Sequence, residues 1–147
     1  MSDHTHGNDS HATDPRAGSG RLSADALIEI ATGYLNPQRL DSRGSGDVAA
    51  VIVTTEGDRF YGVSIDVPCS MGYCAEAGAV GAMITARQSE IAQVVAVGFD
   101  SAGAVIVYPP CGRCREFLYQ IDHRNSAAEV VLGAERVVTL ADLLPER

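Results

Sequence analysis

The chain has 147 residues, which fits one domain able to bury an adequate core without disulfide bonds. It carries 11 basic and 19 acidic residues, a formal net charge of -8. This excess of acid argues against binding to nucleic-acid backbones or anionic membranes, because both require clustered Lys and Arg. No apolar run is long enough to span a membrane and the N-terminus is polar, so a cytoplasmic protein without a signal peptide is predicted.

The first 20 residues form a polar tail that differs from the rest of the chain. They are rich in Gly, Ser, Asp, His and Thr and contain almost no bulky apolar residue, which predicts disorder. Three of the four histidines, His4, His6 and His11, fall in this tail. Residues 21–147 are therefore predicted to form the folded domain.

The folded part begins with a predicted helix and a hairpin. Ser23 is a plausible N-cap, apolar residues follow at helical spacing, and Asn36-Pro37 ends the helix. After a loop at residues 44–46, an apolar β-branched strand is predicted at residues 48–55. Residues 56–58 form a turn, and residues 59–66 form the returning strand.

The second half predicts strands that alternate with helices. Residues 74–87 are small and helix-compatible without an amphipathic pattern, so this helix must be buried in a core or against other subunits. The remaining strands are predicted at residues 91–99, 104–108 and 129–132, and the remaining helices at residues 112–121 and 140–144. This alternation predicts a three-layer α/β domain.

Three cysteines have the spacing of a metal site. Cys111 and Cys114 are separated by two residues at a predicted helix start, which allows two thiolates to bind one tetrahedral zinc ion. Cys74, at the start of another predicted helix, would be the third ligand. Three protein ligands leave one position for water, which is the arrangement of catalytic rather than structural zinc.

A carboxylate stands close to the first predicted ligand. Glu76 follows Cys74 by two residues, so it is placed to exchange protons with water at the metal as a general acid–base group. The segments Cys74-Ala75-Glu76 and Pro110-Cys111-Gly112-Arg113-Cys114 match the signature of zinc deaminases, with Cys where that signature has His first.

Other interpretations of the cysteines stay open. A redox Cys-x-x-Cys pair would explain Cys111 and Cys114 but would leave Cys74 and Glu76 without a role. A structural zinc site would require a fourth ligand, for which Cys69 is the one cysteine left. His123, the single histidine outside the tail, has no motif around it.

On these residues the sequence resembles the cytidine deaminase superfamily, in its small three-cysteine branch, and is especially similar to blasticidin-S deaminase-like members. The residues that carry the resemblance are the two cysteine segments, the hairpin VIVTTEGDRFYGV and the ending Leu143-Leu144-Pro145. The resemblance implies a three-layer α-β-α fold with a five-stranded mixed central sheet, a homotetramer, and hydrolytic deamination of a cytosine-type base.

The resemblance also implies a role for each site residue. Zinc, one ion per subunit, would be held by Cys74, Cys111 and Cys114, and Glu76 would move protons between water, ring nitrogen and ammonia. The backbone N–H of Ala75 would hold the base carbonyl. The helix that begins at Cys74 would face the centre of the tetramer.

The sequence departs from the family where substrate is bound. The positions at which the family binds the ribose hydroxyls with Asn and Glu are Ser64 and Asp66 here, and both side chains are shorter. The position of an aromatic wall is Gly46, and Ala77 replaces an Arg that follows the catalytic Glu. We hypothesise that Arg113 offsets the charge of the three thiolates instead, with Arg115 as the alternative.

Two substrate classes and one non-enzymatic role follow. The first substrate class is cytidine or deoxycytidine; the second is a cytosine-containing nucleoside antibiotic such as blasticidin S, or another aminated heterocycle. A catalytically silent zinc scaffold is the remote alternative, against which the carboxylate of Glu76 argues. Nucleic acid is a poor substrate for so acidic a chain with eight aromatic residues.

Overall fold

The computed structural model describes residues 20–146. The predicted disordered tail, residues 1–20, lies outside this range apart from Gly20, so its disorder stays a prediction. None of the described helices is long and apolar enough to cross a membrane.

Three helices and seven strands make up the described part of the chain. The helices are α1 (Ala24–Thr32), α2 (Ala75–Thr85) and α3 (Gly112–Ile121). The strands are β1 (Gln38–Leu40), β2 (Arg43–Thr54), β3 (Arg59–Asp66), β4 (Ile91–Phe99), β5 (Val105–Val107), β6 (Glu129–Gly133) and β7 (Arg136–Thr139). Short 3-10 turns span His123–Ala127 and Ala141–Leu143, so the predicted final helix is a single turn.

All the strands belong to one mixed sheet. β4 pairs antiparallel with β2 and parallel with β6, while β3 pairs with β2 and β7 with β6. The five predicted strands are confirmed, but the expectation of a five-stranded sheet was wrong because β1 and β7 add two more. They are four residues long or shorter, and each adjoins a two-residue turn, so they are too short for sequence periodicity to identify. β2 also begins at Arg43, so it includes residues 44–46, which were predicted to form a loop.

The helices cover the two faces of this sheet, as predicted for a three-layer fold. In β2, Ala49, Val51 and Val53 pack in one cluster with Leu27 of α1. Ile52 points the other way and packs with residues of α2 and α3. This alternation along a central strand separates a face covered by α1 from a face covered by α2 and α3.

A glycine in β3 allows α2 to lie close to the sheet. A Cβ atom on Gly62 would lie 2.2 Å from the carbonyl oxygen of Ala75 and 2.4 Å from the amide nitrogen of Ala79. Gly78 of α2 faces the same point, since its Cβ would lie 3.4 Å from the Cα of Gly62. Sequence reasoning did not single out Gly62, although an isolated glycine within a strand is the known signal of close backbone approach.

Candidate metal centre and active site

Two helix starts bring three cysteines together. Cys74 is the N-cap of α2, Cys111 is the N-cap of α3, and Cys114 lies in the first turn of α3. Their Sγ atoms all lie within 4.8 Å of one another, and those of Cys74 and Cys111 are 3.7 Å apart. The predicted ligand set is therefore assembled in space, although 37 residues separate Cys74 from Cys111.

Local hydrogen bonds hold the beginning of α3. The Sγ of Cys111 accepts the backbone N–H of Cys114 at 3.4 Å. The Nε of Arg115 donates to the carbonyl oxygen of Pro110 at 2.7 Å, and Pro110 itself is buried. Together these bonds fix the segment that carries two of the three cysteines.

The three thiols differ in how easily they ionise. Burial raises the pKa of the Cys111 thiol, but hydrogen bonds from the Cys114 N–H and from the other two thiols outweigh it, so this pKa lies below its ordinary value. Burial is the main cause that raises the pKa values of Cys74 and Cys114. Hydrogen bonds at a helix N-terminus thus favour the thiolate at Cys111.

The cluster has the donor set and spacing of a zinc site. Two sulfur ligands about 2.3 Å from one tetrahedral zinc ion would lie about 3.8 Å apart, close to the separation of Cys74 and Cys111. No fourth His, Cys, Asp or Glu ligand joins the group within residues 20–146. Cys69 is exposed outside the cluster, and the ring of His123 stacks on Tyr119 with centroids 4.5 Å apart. The residues present therefore fit one zinc ion with three protein ligands.

Glu76 is a buried carboxylate beside the thiols. Its exposed fraction is 4%. After burial, the charge of Glu76 is the next cause that raises the pKa of Cys114, and it also raises that of Cys74. A buried acid held this close to a metal site is suited to exchanging protons there.

The predicted substrate residues lie on the same face of the sheet as α2. Phe60 and Gly62 of β3 point towards α2 and α3, and the alternation of the strand places Ser64 and Asp66 on that face too. The Oγ of Ser64 accepts the backbone N–H of Val48 at 3.1 Å, where the pairing of β2 with β3 is irregular. Asp66 is exposed at the end of β3.

The structure also places Gly46, where the family has an aromatic residue, and the two arginines proposed to offset the charge of the thiolates. Gly46 has a φ angle of +78°, and a Cβ there would lie 2.1 Å from the carbonyl oxygen of Asn36, so an aromatic side chain has no room. Arg113 is exposed and has no hydrogen-bond or ion-pair partner in the described part of the chain. Its effect on the thiolates stays a prediction, while Arg115 is anchored at Pro110.

The comparisons with known proteins agree with this site. A sequence model of the family described as the cytidine and deoxycytidylate deaminase zinc-binding region matches residues 25–133, which include all three cysteines and Glu76. The chain belongs to this family. It is a zinc-dependent deaminase, and the thiol cluster in its fold is consistent with one zinc ion. A search of curated protein sequences found no match.

Solved cytidine deaminases share the fold of this family member. The enzyme of Mycobacterium leprae is 23% identical with a TM-score of 0.67, over 86% of this chain and 100% of that chain. The enzyme of Mycobacterium tuberculosis is 24% identical with a TM-score of 0.66, over 86% and 97%. The enzyme of Burkholderia pseudomallei is 27% identical with a TM-score of 0.66, over 85% and 98%. The mixed sheet and its flanking helices are thus a cytidine deaminase fold.

Proposed function

We propose that this deaminase converts cytidine or deoxycytidine to the corresponding uracil nucleoside and releases ammonia. The observation that carries the proposal is the buried carboxylate of Glu76 beside three cysteines at two helix starts. The family and the cytidine deaminases of similar fold support a small nucleoside as substrate. The net charge of -8 supports a free nucleoside over RNA or DNA.

The three cysteines and Glu76 divide the chemistry between them. Cys74, Cys111 and Cys114 would hold one zinc ion, which when bound supplies the Lewis acid that makes water a nucleophile at neutral pH. Glu76 takes a proton from water and delivers it to N3 of the ring, so that hydroxide adds to C4. Glu76 then carries the second proton to the departing amino group, and water and cytosine become uracil and ammonia.

The start of α2 would orient the base. The first N–H groups of a helix have no partner within the helix, so that of Ala75 is available to donate to the carbonyl of a pyrimidine. Ala75, the first residue of α2, is fully buried against Ala50 and Ala96 of the sheet, which fixes its position. Ser64 and Asp66 line the same face and would lie towards the sugar.

One observation favours a second substrate class. The hydroxyl of Ser64, at the position of the family's Asn, already accepts the N–H of Val48. Asp66, at the position of the family's Glu, is a shorter carboxylate and is exposed. A cytosine-containing nucleoside antibiotic such as blasticidin S, or another aminated heterocycle, would place different groups here. The non-catalytic zinc scaffold is the remaining alternative, and it leaves the buried Glu76 without a role.

We also propose a cytoplasmic homotetramer. Several apolar or small residues of α2 are exposed in the single chain: Gly81, Ala82, Ile84 and Thr85. A helix that is apolar or small on all sides is expected to be buried on all sides. Contact with other subunits would bury the residues of α2 that are exposed in the single chain. Free thiols at Cys69 and at the three ligand positions suit a reducing compartment.

An ammonia-release screen tests the proposed function. Purified zinc-loaded protein is assayed with cytidine, deoxycytidine, cytosine, blasticidin S and adenosine, and Glu76→Gln is the matched inactive control. We expect release of ammonia from cytidine or deoxycytidine, with loss in the control. Release from blasticidin S alone would select the second substrate class. No release from any compound, with zinc bound, would contradict the proposal and favour the scaffold.

A further inference from the structure

The ring of Tyr108 lies where a side chain at position 98 would otherwise be, and this space is open because residue 98 is glycine. Tyr108 follows β5, and its backbone N–H donates to the carbonyl oxygen of Ala96 in β4 at 2.9 Å. A Cβ on Gly98 would lie 2.6 Å from Cε2 of the tyrosine ring. The ring therefore lies directly over Gly98, beside the carbonyl of Asp47, which is 2.8 Å from the same point.

This ring stands on the face of the sheet that carries the metal centre. In β4, Val94 packs with residues of α2 and α3, and Ala96 packs in one cluster with Ala75 of α2. Side chains alternate along a strand, so Gly98 points to that face as well. Gly98 is two residues, about 7 Å, along the strand from Ala96. Since Ala75 lies between Cys74 and Glu76, the ring is a near neighbour of the site on the sheet surface.

The chain between the ring and the metal centre is stiff. Tyr108 is followed by Pro109, Pro110 and Cys111, and each proline ring restricts its own φ angle. Arg115 holds the carbonyl oxygen of Pro110 at 2.7 Å. The position of the tyrosine ring is thus coupled to that of Cys111.

The ring keeps an open side, and β2 offers no aromatic residue in its place. Tyr108 is 38% exposed although one side of its ring covers Gly98. Gly46, at the nearby end of β2, has no room for a side chain. Phe99 is similarly exposed, at 40%, but the alternation of β4 points it to the face covered by α1.

We propose that Tyr108 is a specificity residue whose ring forms one wall of the substrate pocket and packs against the pyrimidine ring. The proposal rests on the proposed function, because it takes an aminated pyrimidine as the ligand. Stacking of a base on an aromatic side chain changes affinity by roughly 10- to 100-fold. The hydroxyl contributes little, since within residues 20–146 it makes one hydrogen bond, a long one of 3.5 Å to the carbonyl oxygen of Phe99.

Binding of cytidine to variants of Tyr108 tests this. Dissociation constants are measured by calorimetry in the zinc-loaded Glu76→Gln background, which does not consume the substrate. We expect Tyr108→Leu to weaken binding at least tenfold and Tyr108→Phe to stay within about twofold, because the ring is retained. Phe99→Leu is the matched control and should also stay within about twofold. In the Glu76 enzyme, Tyr108→Leu should raise KM more than it lowers kcat, with zinc content unchanged.

The outcomes separate this proposal from the proposed function. Tyr108→Leu with zinc bound and an unchanged dissociation constant would overturn the role of Tyr108 alone, provided that the parent deaminates cytidine. A parent that neither deaminates nor binds cytidine would overturn both. If Tyr108→Leu does not fold, Tyr108→Met carries the same test, since it keeps an apolar side chain without a ring.

Discussion

The starts of α2 and α3 meet at one site but are held there in different ways. At α2, Ala75 and Glu76 are buried, because Gly62 of β3 lets the helix lie against the sheet. At α3, Cys111 and Arg113 are exposed while Pro110 and Cys114 are buried, and hydrogen bonds within the segment hold its start. The position of Glu76 thus depends on packing against the sheet, while local hydrogen bonds help to set the position of Cys111.

The two helix starts also differ in charge. α2 has the acid Glu76 in its first turn, which suits the positive end of the helix dipole. α3 has Arg113 beside its cysteines and no acid in its first turn, and a cation at this end costs about 0.3–1 kcal/mol. Thiolates at Cys111 and Cys114 would offset that cost. On the proposed mechanism, α2 would supply the proton-transfer group and α3 the environment that favours metal-binding anions.

Removal of the acid from α2 should have the largest effect. Glu76→Gln keeps the shape of the side chain but cannot exchange protons, so we expect kcat to fall about 10²- to 10⁴-fold with zinc retained. Steady-state rates and metal analysis measure this. Glu116→Gln, on α3, is the matched control and should keep parental activity. Parental activity in Glu76→Gln would contradict the division of roles between the helices.

Removal of a ligand from α3 should weaken metal binding strongly. Loss of a residue that only hydrogen-bonds to a metal ligand lowers metal affinity by about 10- to 100-fold. Cys114→Ser replaces a ligand itself, so it is expected to lower zinc affinity by more than this. Competition with a chromogenic chelator measures the affinity. Cys69→Ser should bind zinc like the parent, because Cys69 lies outside the cluster. Equal losses in both variants would show that Cys69 is a fourth ligand.

Disturbing the packing between β3 and α2 should lower stability. Gly62→Ala places a Cβ against the backbone of Ala75 and Ala79, so the free energy of unfolding should fall by about 1–3 kcal/mol. Gly133→Ala adds a Cβ with no atom within 4 Å and should change stability little. Denaturant unfolding of zinc-loaded protein compares the two. If Gly62→Ala matched Gly133→Ala, the close approach of α2 to the sheet would be wrong.

The smallest effects are expected at the arginines of α3. Arg115→Gln loses the hydrogen bond to Pro110, so zinc should dissociate about tenfold faster. Arg113→Ala removes one exposed positive charge near the thiols and leaves the hydrogen bonds of Cys111 and Pro110 intact. It should therefore act less strongly on zinc retention and on the pH–rate profile. If Arg113→Ala changes neither, the hypothesis that Arg113 tunes the thiolates is wrong.

Much of the fold follows from local sequence patterns. The β-branched runs at residues 48–55 and 91–99 predict the two central strands, and the cysteine spacing predicts the cluster. These features need information from a few neighbouring residues only. The wrong strand count has the same origin, because β1 and β7 are stabilised by pairing with the longer neighbouring strands β2 and β6 rather than by their own pattern.

Details of the site depend on contacts between distant residues. The bond between Ser64 and the N–H of Val48 follows from an irregular register of β2 and β3, which the sequence does not specify. The position of the Tyr108 ring over Gly98 requires the pairing of β4 with β5. Such contacts arise from tertiary packing, so they could not be predicted from spacing alone.

A zinc titration tests the central claim most directly. Metal-free protein is titrated with zinc while the deamination of cytidine is followed, with Glu76→Gln titrated in parallel. We expect deaminase activity to rise linearly with added zinc and to level off at one zinc ion per chain. Glu76→Gln should bind the same amount of zinc and stay inactive. Activity in metal-free protein, or full zinc binding by the parent without release of ammonia from cytidine, would contradict it.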